Sequence, residues 1–171
     1  MRTIGRGVNG TVYEKNGLAL KHTRVYSPTE IRALLRLRGA PFVPKVHSYG
    51  RYWFTMNLLP PGSKTLGKWK KTATAFQRVS ALSQLKSILN ALHKNYHISH
   101  GDLHQDNILV NRTGKVWLVD FGRSQFLRGN ENSAYTKSRY VFNYNGVPTY
   151  SFKGILARKN SNMIKKISTG L

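Results

Sequence analysis

A glycine-rich turn near the start of the chain places the strongest limit on its fold. Residues 5–12 read GRGVNGTV, which is the pattern G-x-G-x-x-G-x-V. Glycines let a backbone approach phosphate oxygens closely and offer N–H groups to them. In a dinucleotide-binding fold this pattern opens a long helix, whereas here Thr11–Tyr13 predicts a strand. The segment therefore predicts a phosphate-binding turn between two strands and argues against a dinucleotide-binding fold.

Strands and one helix account for most of the next fifty residues. Arg2–Ile4 precedes the glycine turn as a strand, and Leu18–His22 is an apolar strand after the hairpin signal Asn-Gly. Val43–Ser48 and Arg51–Leu58 predict a strand pair. A helix begins at Ser27. The apolar face of this helix is predicted to comprise Ile31, Leu34, Leu35 and Leu37.

Lys21 and Glu30 are the first candidate site residues. Lys21 lies at the end of an apolar strand, where its side chain would reach phosphates beneath the glycine turn. Glu30 has two interpretations. It completes a capping box with Ser27, three residues earlier, or it pairs with Lys21. The sequence leaves both open.

A break at Pro60–Gly62 is the predicted boundary between two lobes, residues 1–59 and 60–171. In the second lobe, Thr72–Asn95 predicts a helix, and residues 108–119 predict a short hairpin. The helix is predicted to bury Phe76, Val79, Leu82, Leu85, Leu89 and Leu92.

Acidic residues are scarce, and their positions are informative. Only six of the 171 residues are Asp or Glu, against 28 Lys and Arg. Asp102 and Asn107 lie in the segment HGDLHQDN, and Asp120 follows an apolar run and precedes Phe-Gly. In phosphoryl transfer an aspartate accepts the hydroxyl proton, while an asparagine and a second aspartate bind metal. The pattern therefore predicts transfer of the γ-phosphoryl group of Mg-ATP to a hydroxyl.

With these motifs in this order, the chain from Gly5 to about Gly122 resembles the protein-kinase-like superfamily. The resemblance implies an α+β, two-lobed protein-kinase-like fold, with ATP and Mg²⁺ as cofactors. Because little of the chain follows Gly122, we expect the helical C-terminal lobe to be truncated. Such a lobe would expose part of its core, so an oligomer or an activating partner is an expected means of covering it.

The resemblance also implies roles for individual residues. Lys21 would hold the α- and β-phosphates and be oriented by Glu30, and Asp102 would be the catalytic base. Met56 would lie at the back of the adenine pocket as the gatekeeper. The residues implied in nucleotide binding are Gly5, Gly7, Gly10, Lys21, Asn57 and Leu59. The residues implied in catalysis and metal binding are Lys21, Glu30, Asp102, His104, Asn107 and Asp120.

Two departures from the usual pattern bear on the acceptor. Gly101 stands where an arginine usually precedes the base, a form that resembles atypical, small-molecule and some viral kinases. His104 stands where serine/threonine kinases have a lysine, and its imidazole could stabilise phosphate charge if protonated.

Gly146–Tyr150 resembles the G-T-P-x-Y stretch that binds peptide in protein kinases. We therefore expect Ser or Thr of a protein as the acceptor.

Two alternatives to a protein kinase remain open. One is a small-molecule kinase of the aminoglycoside or sugar type, because His100–His104 resembles theirs. The other is a catalytically weak kinase-like protein that binds nucleic acid, because the net charge is +22. That charge predicts a polyanion partner, nucleic acid or acidic protein, although a solvated basic surface explains it equally well.

Composition excludes several other classes of protein. The chain has no cysteine, which excludes a disulfide scaffold and a thiolate zinc site. No apolar run is long enough for a membrane span, so we expect a soluble intracellular protein of the cytoplasm or nucleus, with viral origin compatible. A further basic amphipathic helix is expected over Ile155–Ile167.

The sequence contains two further candidate sites that the kinase pattern does not require. A zinc site is conceivable because four histidines lie close together in the sequence. These are His93, His97, His100 and His104. Separately, Trp69 lies among four lysines, a pattern compatible with a nucleic-acid-contacting surface or with a solvated basic turn.

Overall fold

The structure is a computed structural model that describes residues 1–127 of the chain. The predictions for Gly146–Tyr150 and for a helix over Ile155–Ile167 lie outside the described residues. The same holds for the predicted truncation of the helical lobe.

A five-stranded antiparallel sheet comprises most of the chain up to Asn57, in the order β1-β2-β3-β5-β4. Its strands are β1 Arg2–Gly7, β2 Gly10–Lys15, β3 Leu18–Thr23, β4 Val46–Tyr49 and β5 Trp53–Asn57. The turn between β2 and β3 has positive φ at both Asn16 and Gly17, as the Asn-Gly signal predicts for a two-residue hairpin. The register pairs Gly7 with Gly10, so the glycine-rich segment is the tip of the β1–β2 hairpin.

Helix α1, Pro28–Arg36, crosses from β3 to β4. The predicted capping box is absent, because the Ser27 side chain makes no cap hydrogen bond and the Glu30 side chain is buried. Leu35 is also exposed rather than part of the apolar face. It follows the buried Leu34 by one residue, and a helix turns by about 100° per residue, so Leu35 faces away from the core.

The remaining described elements are short, apart from one long helix. Their bounds are β6 Lys64–Thr65, α2 Leu66–Trp69, α3 Ala75–Lys94, β7 Ile98–Ser99, β8 Ile108–Val110, β9 Val116–Leu118 and β10 Gln125–Phe126. Strands β6, β8 and β9 form one sheet, and β10 pairs with β7. Thr74 and Gln77 form a capping box that fixes the start of α3 close to the predicted position. The boundary predicted at Pro60–Gly62 lies between β5 and β6 and stays a prediction.

The predicted burial of Phe76 and Val79 on α3 is wrong. Phe76 is 82% exposed and Val79 is 67% exposed. Phe76 lies about two and a half turns before Leu85, so it projects from the opposite face of the helix. The buried α3 residues are Ala81, Leu85, Ile88, Leu89, Leu92 and His93.

One apolar core joins the five-stranded sheet to the helices and strands that follow it. It includes Phe54 of β5, Leu34 of α1 and Leu92 of α3. The backbone N–H of Leu118 donates to the carbonyl of Phe42 at 2.8 Å, which ties β9 to the segment after α1. Among residues 1–127, no helix is long and apolar enough to cross a membrane.

Candidate active site

A cleft of about 770 Å³ separates the glycine-rich hairpin from the loops around Asp102 and Asp120. This volume is in the range of ordinary ligand sites. The predicted residues that line it are Gly5, Gly7, Gly10, Lys21, Glu30, Met56, Leu59, Asp102, His104, Asn107 and Asp120. Residues far apart in the sequence therefore share one cavity.

Lys21 lies at the centre of a buried charge cluster. Its Nζ is 2.5 Å from Glu30 Oε1 and 3.3 Å from Asp120 Oδ1. These contacts join β3, α1 and the segment after β9. Of the two interpretations of Glu30, the structure shows the pair with Lys21.

The charges of this cluster are mutually dependent. Burial alone would lower the pKa of Lys21, but the Glu30 and Asp120 carboxylates outweigh burial and hold that pKa above its ordinary value. Burial raises the pKa of Glu30, and the Lys21 ammonium opposes this rise. Lys21 is therefore cationic at neutral pH and available to an anionic group in the cleft.

The loop that carries Asp102 is fixed by two side chains. Asn107 Nδ2 donates to the Asp102 carbonyl oxygen at 2.8 Å, and the backbone N–H of Val119 donates to the Asn107 carbonyl at 3.1 Å. The His100 ring lies between the Asp102 backbone N–H, at 3.4 Å from Nδ1, and the Val119 carbonyl, at 3.0 Å from Nε2. Asp102 and Asp120 are thus held in one network, because Val119 immediately precedes Asp120.

The protonation state of His100 follows from its surroundings. Burial lowers the pKa of His100 to about 4, although its bond to Val119 acts in the opposite direction. The ring is therefore neutral at pH 7. Because the Val119 carbonyl can only accept, Nε2 carries the hydrogen and Nδ1 accepts from Asp102.

Asp120 adopts an uncommon backbone conformation next to a buried ring. Its φ is 63°, in the left-handed region, which asparagine and aspartate tolerate better than most residues. The adjacent Phe121 is fully buried, with its ring centroid 4.5 Å from that of His100. Packing of Phe121 thus fixes the backbone that directs the Asp120 carboxylate to Lys21.

Comparison with known proteins agrees with this geometry. A family model described as the protein kinase domain matches residues 1–150. The chain belongs to the protein kinase domain family. The family resemblance and the α+β kinase fold predicted from the motifs are thereby confirmed.

Individual relatives are distant. The chain is 30% identical over 125 residues to a probable cAMP-dependent protein kinase catalytic subunit of Encephalitozoon cuniculi, covering 71% of this chain and 36% of the relative. It is 29% identical over 143 residues to the serine/threonine-protein kinase PknD of Mycobacterium tuberculosis, covering 71% and 21%. A probable casein kinase I homolog of E. cuniculi is 29% identical over 151 residues, covering 75% and 46%. The chain spans less than half the length of these relatives.

Within this kinase domain, the structure explains why glycine precedes Asp102. Gly101 has a φ of +78°, and a Cβ placed there would lie 2.0 Å from the Arg123 carbonyl oxygen. A side chain is therefore excluded both by the backbone conformation and by the close approach of a second backbone segment. The usual arginine cannot occupy this position without movement of the segment after Phe121.

The predicted gatekeeper Met56 and the predicted nucleotide-binding residues Asn57 and Leu59 differ in position. Met56 and Leu59 line the cleft, but Asn57 is not part of its lining. The Asn57 side chain lies 2.5 Å from His47 Nε2, and its backbone N–H donates to the Lys45 carbonyl at 2.9 Å. Its role in nucleotide binding stays a prediction.

The rival sites receive no support. Among residues 1–127, no group of three or more His, Cys, Asp or Glu side chains could hold a metal ion, so the structure gives no support to the rival histidine zinc site. His100 is instead bonded to the backbone of Val119. Trp69 is buried in the core, so its ring is not presented to bases.

Sequence reasoning missed several residues of the cleft. Arg123, Lys68, Thr65 and Leu109 line it beside the predicted residues. Arg123 has a sequence signal, because it directly follows Asp120–Gly122 and carries a charge. The other three have none. The pairing of β6 with β8 brings Thr65 and Leu109 together, and Lys68 lies on α2, which directly follows β6.

Replacing Gly101 by alanine tests the close approach described above. We expect Gly114→Ala to cost about 1 kcal/mol of unfolding free energy, because Gly114 has φ +83° but open space around it. Gly101→Ala adds a clash with the Arg123 carbonyl and should cost about 1–3 kcal/mol more. Urea unfolding measures both values. Equal losses would mean that the backbone of Arg123 does not restrict position 101.

Buried histidines should make stability depend on pH. Burial lowers the pKa of both His93 and His100 from 6.5 to about 4. Between these two pKa values the unfolded chain binds protons that the folded chain does not bind. The free energy of unfolding therefore has its full value above about pH 6.5 and falls as the pH drops toward 4. At 1.36 kcal/mol per pKa unit, each histidine contributes about 3 kcal/mol to this loss of unfolding free energy.

Urea unfolding between pH 7 and pH 4.5 measures this loss. His93→Leu should reduce the dependence on pH, with the exposed His22→Gln as the matched control. The same dependence in His93→Leu and in the parent would contradict the assignment of His93.

Proposed function

We propose that this domain transfers the γ-phosphoryl group of ATP to a hydroxyl, with Ser or Thr of a protein as the acceptor. One observation supports this more than any other. Lys21, Asp102, Asn107 and Asp120 converge in a single cleft with the fold of the protein kinase family. A nucleotide-binding cation, a base and two oxygen donors for metal are the parts that phosphoryl transfer needs.

The cleft offers an apolar surface for adenine and a polar region for phosphates. The apolar part of its lining is formed by Ile4, Val12, Ala19, Met56, Leu59 and Leu109. Gly7 lines the cleft, and a Cβ placed there would meet no atom within 4 Å. Its lack of a side chain is therefore not required by the fold, and it leaves room for a ligand. Lys21 would contact the α- and β-phosphates from below.

The residues present fit a magnesium ion. The Asn107 side-chain nitrogen donates its hydrogen bond to the Asp102 carbonyl, so the Asn107 side-chain oxygen is the atom that would bind the metal. The Asp120 carboxylate lines the cleft and is partly exposed. Mg²⁺ prefers oxygen ligands from one or two protein groups together with phosphate and water. When bound, the ion neutralises charge on the phosphates.

Asp102 would act as the base that takes the acceptor proton. The acceptor oxygen bonds to the γ-phosphorus, the bond from that phosphorus to the bridging oxygen breaks, and ADP leaves. The acceptor proton passes to the Asp102 carboxylate. His100 and Asn107 hold the Asp102 backbone and so fix the position of this carboxylate. Pre-positioning of the base and the phosphates is the main contribution that a protein makes to this reaction.

Relatives favour a protein as the acceptor. Those described above are named as protein kinases, and a further one, 28% identical over 146 residues, is a mitogen-activated protein kinase kinase of Arabidopsis thaliana. A small-molecule acceptor is the second candidate. Gly101 and His104 support it, because they replace the arginine and lysine of serine/threonine kinases.

Incubation with γ-labelled Mg-ATP and a panel of protein and small-molecule acceptors tests the proposal. Asp102→Asn should reduce transfer by about 10²–10⁴-fold while nucleotide affinity is retained, because the base is lost and the phosphate contacts remain. Glu14→Gln, which neutralises a carboxylate that does not line the cleft, is the control. Intact-mass analysis after incubation with ATP detects autophosphorylation. Absence of transfer and of ATP hydrolysis under all conditions would refute a kinase activity.

A pair of glycine variants separates ligand binding from folding. Gly7→Ala should raise the KM for ATP by about tenfold without changing the melting temperature, because its methyl group would enter the cleft and touch no protein atom. Gly10→Ala should lower stability by about 1–3 kcal/mol, since a Cβ there would lie 2.0 Å from the His22 carbonyl oxygen. An unchanged KM in Gly7→Ala would exclude contact between this glycine and the nucleotide.

A further inference from the structure

Arg123 brings a positive charge to the carboxylate of Asp102. Its Nη1 is 3.7 Å from Asp102 Oδ1. The Asp102 side chain is only 13% exposed, whereas that of Arg123 is 51% exposed. This distance is that of an ion pair rather than of a direct hydrogen bond. Both residues also line the cleft.

The backbone around Arg123 determines this placement. The Ser124 N–H donates to the Phe121 carbonyl at 3.1 Å, and the Ser124 hydroxyl donates to the His100 carbonyl at 3.4 Å. The Arg123 carbonyl packs against Gly101 so closely that no Cβ fits there. Residue 123 is therefore held across the loop that carries Asp102, and its side chain starts next to the carboxylate.

The Asp102 carboxylate lies in surroundings where a nearby cation would stabilise it. Among residues 1–127, its Oδ1 is one of two fully buried side-chain atoms for which no hydrogen-bond partner is found. An uncompensated buried carboxylate oxygen is unfavourable, and a nearby cation reduces that cost. Arg123 is the cation whose contact with this oxygen the structure shows.

We propose that Arg123 is a positioning residue, which holds the Asp102 carboxylate in the direction required to accept the hydroxyl proton. The proposal rests on the proposed phosphotransfer function. Gly101 is part of the arrangement, because a side chain at 101 would displace the backbone of Arg123. An arginine is thus absent from position 101, and the structure brings a guanidinium to the Asp102 carboxylate from position 123.

Steady-state kinetics of three variants test this role. Arg123→Met keeps the length of the side chain and removes its charge, Arg123→Lys restores a charge, and Arg38→Met is the control on an exposed arginine beyond α1. We expect Arg123→Met to lower kcat by about tenfold or more, with the KM for ATP and the melting temperature unchanged. Arg123→Lys should recover part of kcat, and Arg38→Met should match the parent.

Other kinetic results would overturn the proposal. An unchanged kcat in Arg123→Met means that Asp102 needs no cation at this position. A rise in the KM for the acceptor alone means that Arg123 binds the acceptor instead. A fall in kcat that is accompanied by a lower melting temperature, without rescue by lysine, indicates a structural role only.

Crystal structures of the parent and of Arg123→Met separate this inference from the proposed function. If the parent shows no transfer, the kinase proposal fails, and the side-chain angles of Asp102 still decide the positioning role. A changed Asp102 rotamer in Arg123→Met supports that role. An identical rotamer in both structures, or a parent in which Arg123 lies away from Asp102, overturns it.

Discussion

The buried ammonium of Lys21 is the interaction on which the geometry of the cleft depends. An unpaired cation at this depth would be strongly unfavourable, whereas Glu30 and Asp120 compensate it from two different elements. Loss of Glu30 would leave the ammonium with only the longer contact, to Asp120 at 3.3 Å. The position of α1 and that of the segment after β9 are therefore both set by a single side chain of β3. For a nucleotide site this arrangement has a direct consequence, because the cation is already fixed before phosphate arrives.

A second network fixes Asp102 relative to this cluster. His100 and Asn107 both contact Val119, the residue before Asp120, and both also contact Asp102. Neutral His100 can bridge two backbone groups in this way because burial keeps its pKa near 4. Asp102 and Asp120 are thus linked through backbone groups, which vary less in position than long side chains do. Gly101 permits the close backbone crossing that completes this part of the site.

The sequence predicted those features of the fold and site that depend on residues adjacent in the chain. Three such features could be predicted. They are the Asn-Gly hairpin, the strand of Lys21 and the order of the motifs up to Gly122. The role of Glu30 could not be predicted, since capping by Ser27 and pairing with Lys21 use the same side chain and only the tertiary structure distinguishes them. The face of α3 was misjudged because Phe76 repeats at near-helical intervals yet falls half a turn from Leu85. Arg123 was missed because its contact with Asp102 arises from the crossing of two loops.

The distribution of charge suits a ligand that is itself both anionic and cationic. Five of the six acidic residues lie in the described part of the chain, and four of these, Glu30, Asp102, Asp106 and Asp120, line the cleft. A strongly basic surface raises the local concentration of anions such as a nucleotide or an acidic segment of a protein. Carboxylates inside the cleft favour a divalent cation and a transferable proton. An excess of positive charge outside and a concentration of carboxylates within are therefore compatible with one another, because the proposed ligand, Mg-ATP, is an anion that carries a divalent cation.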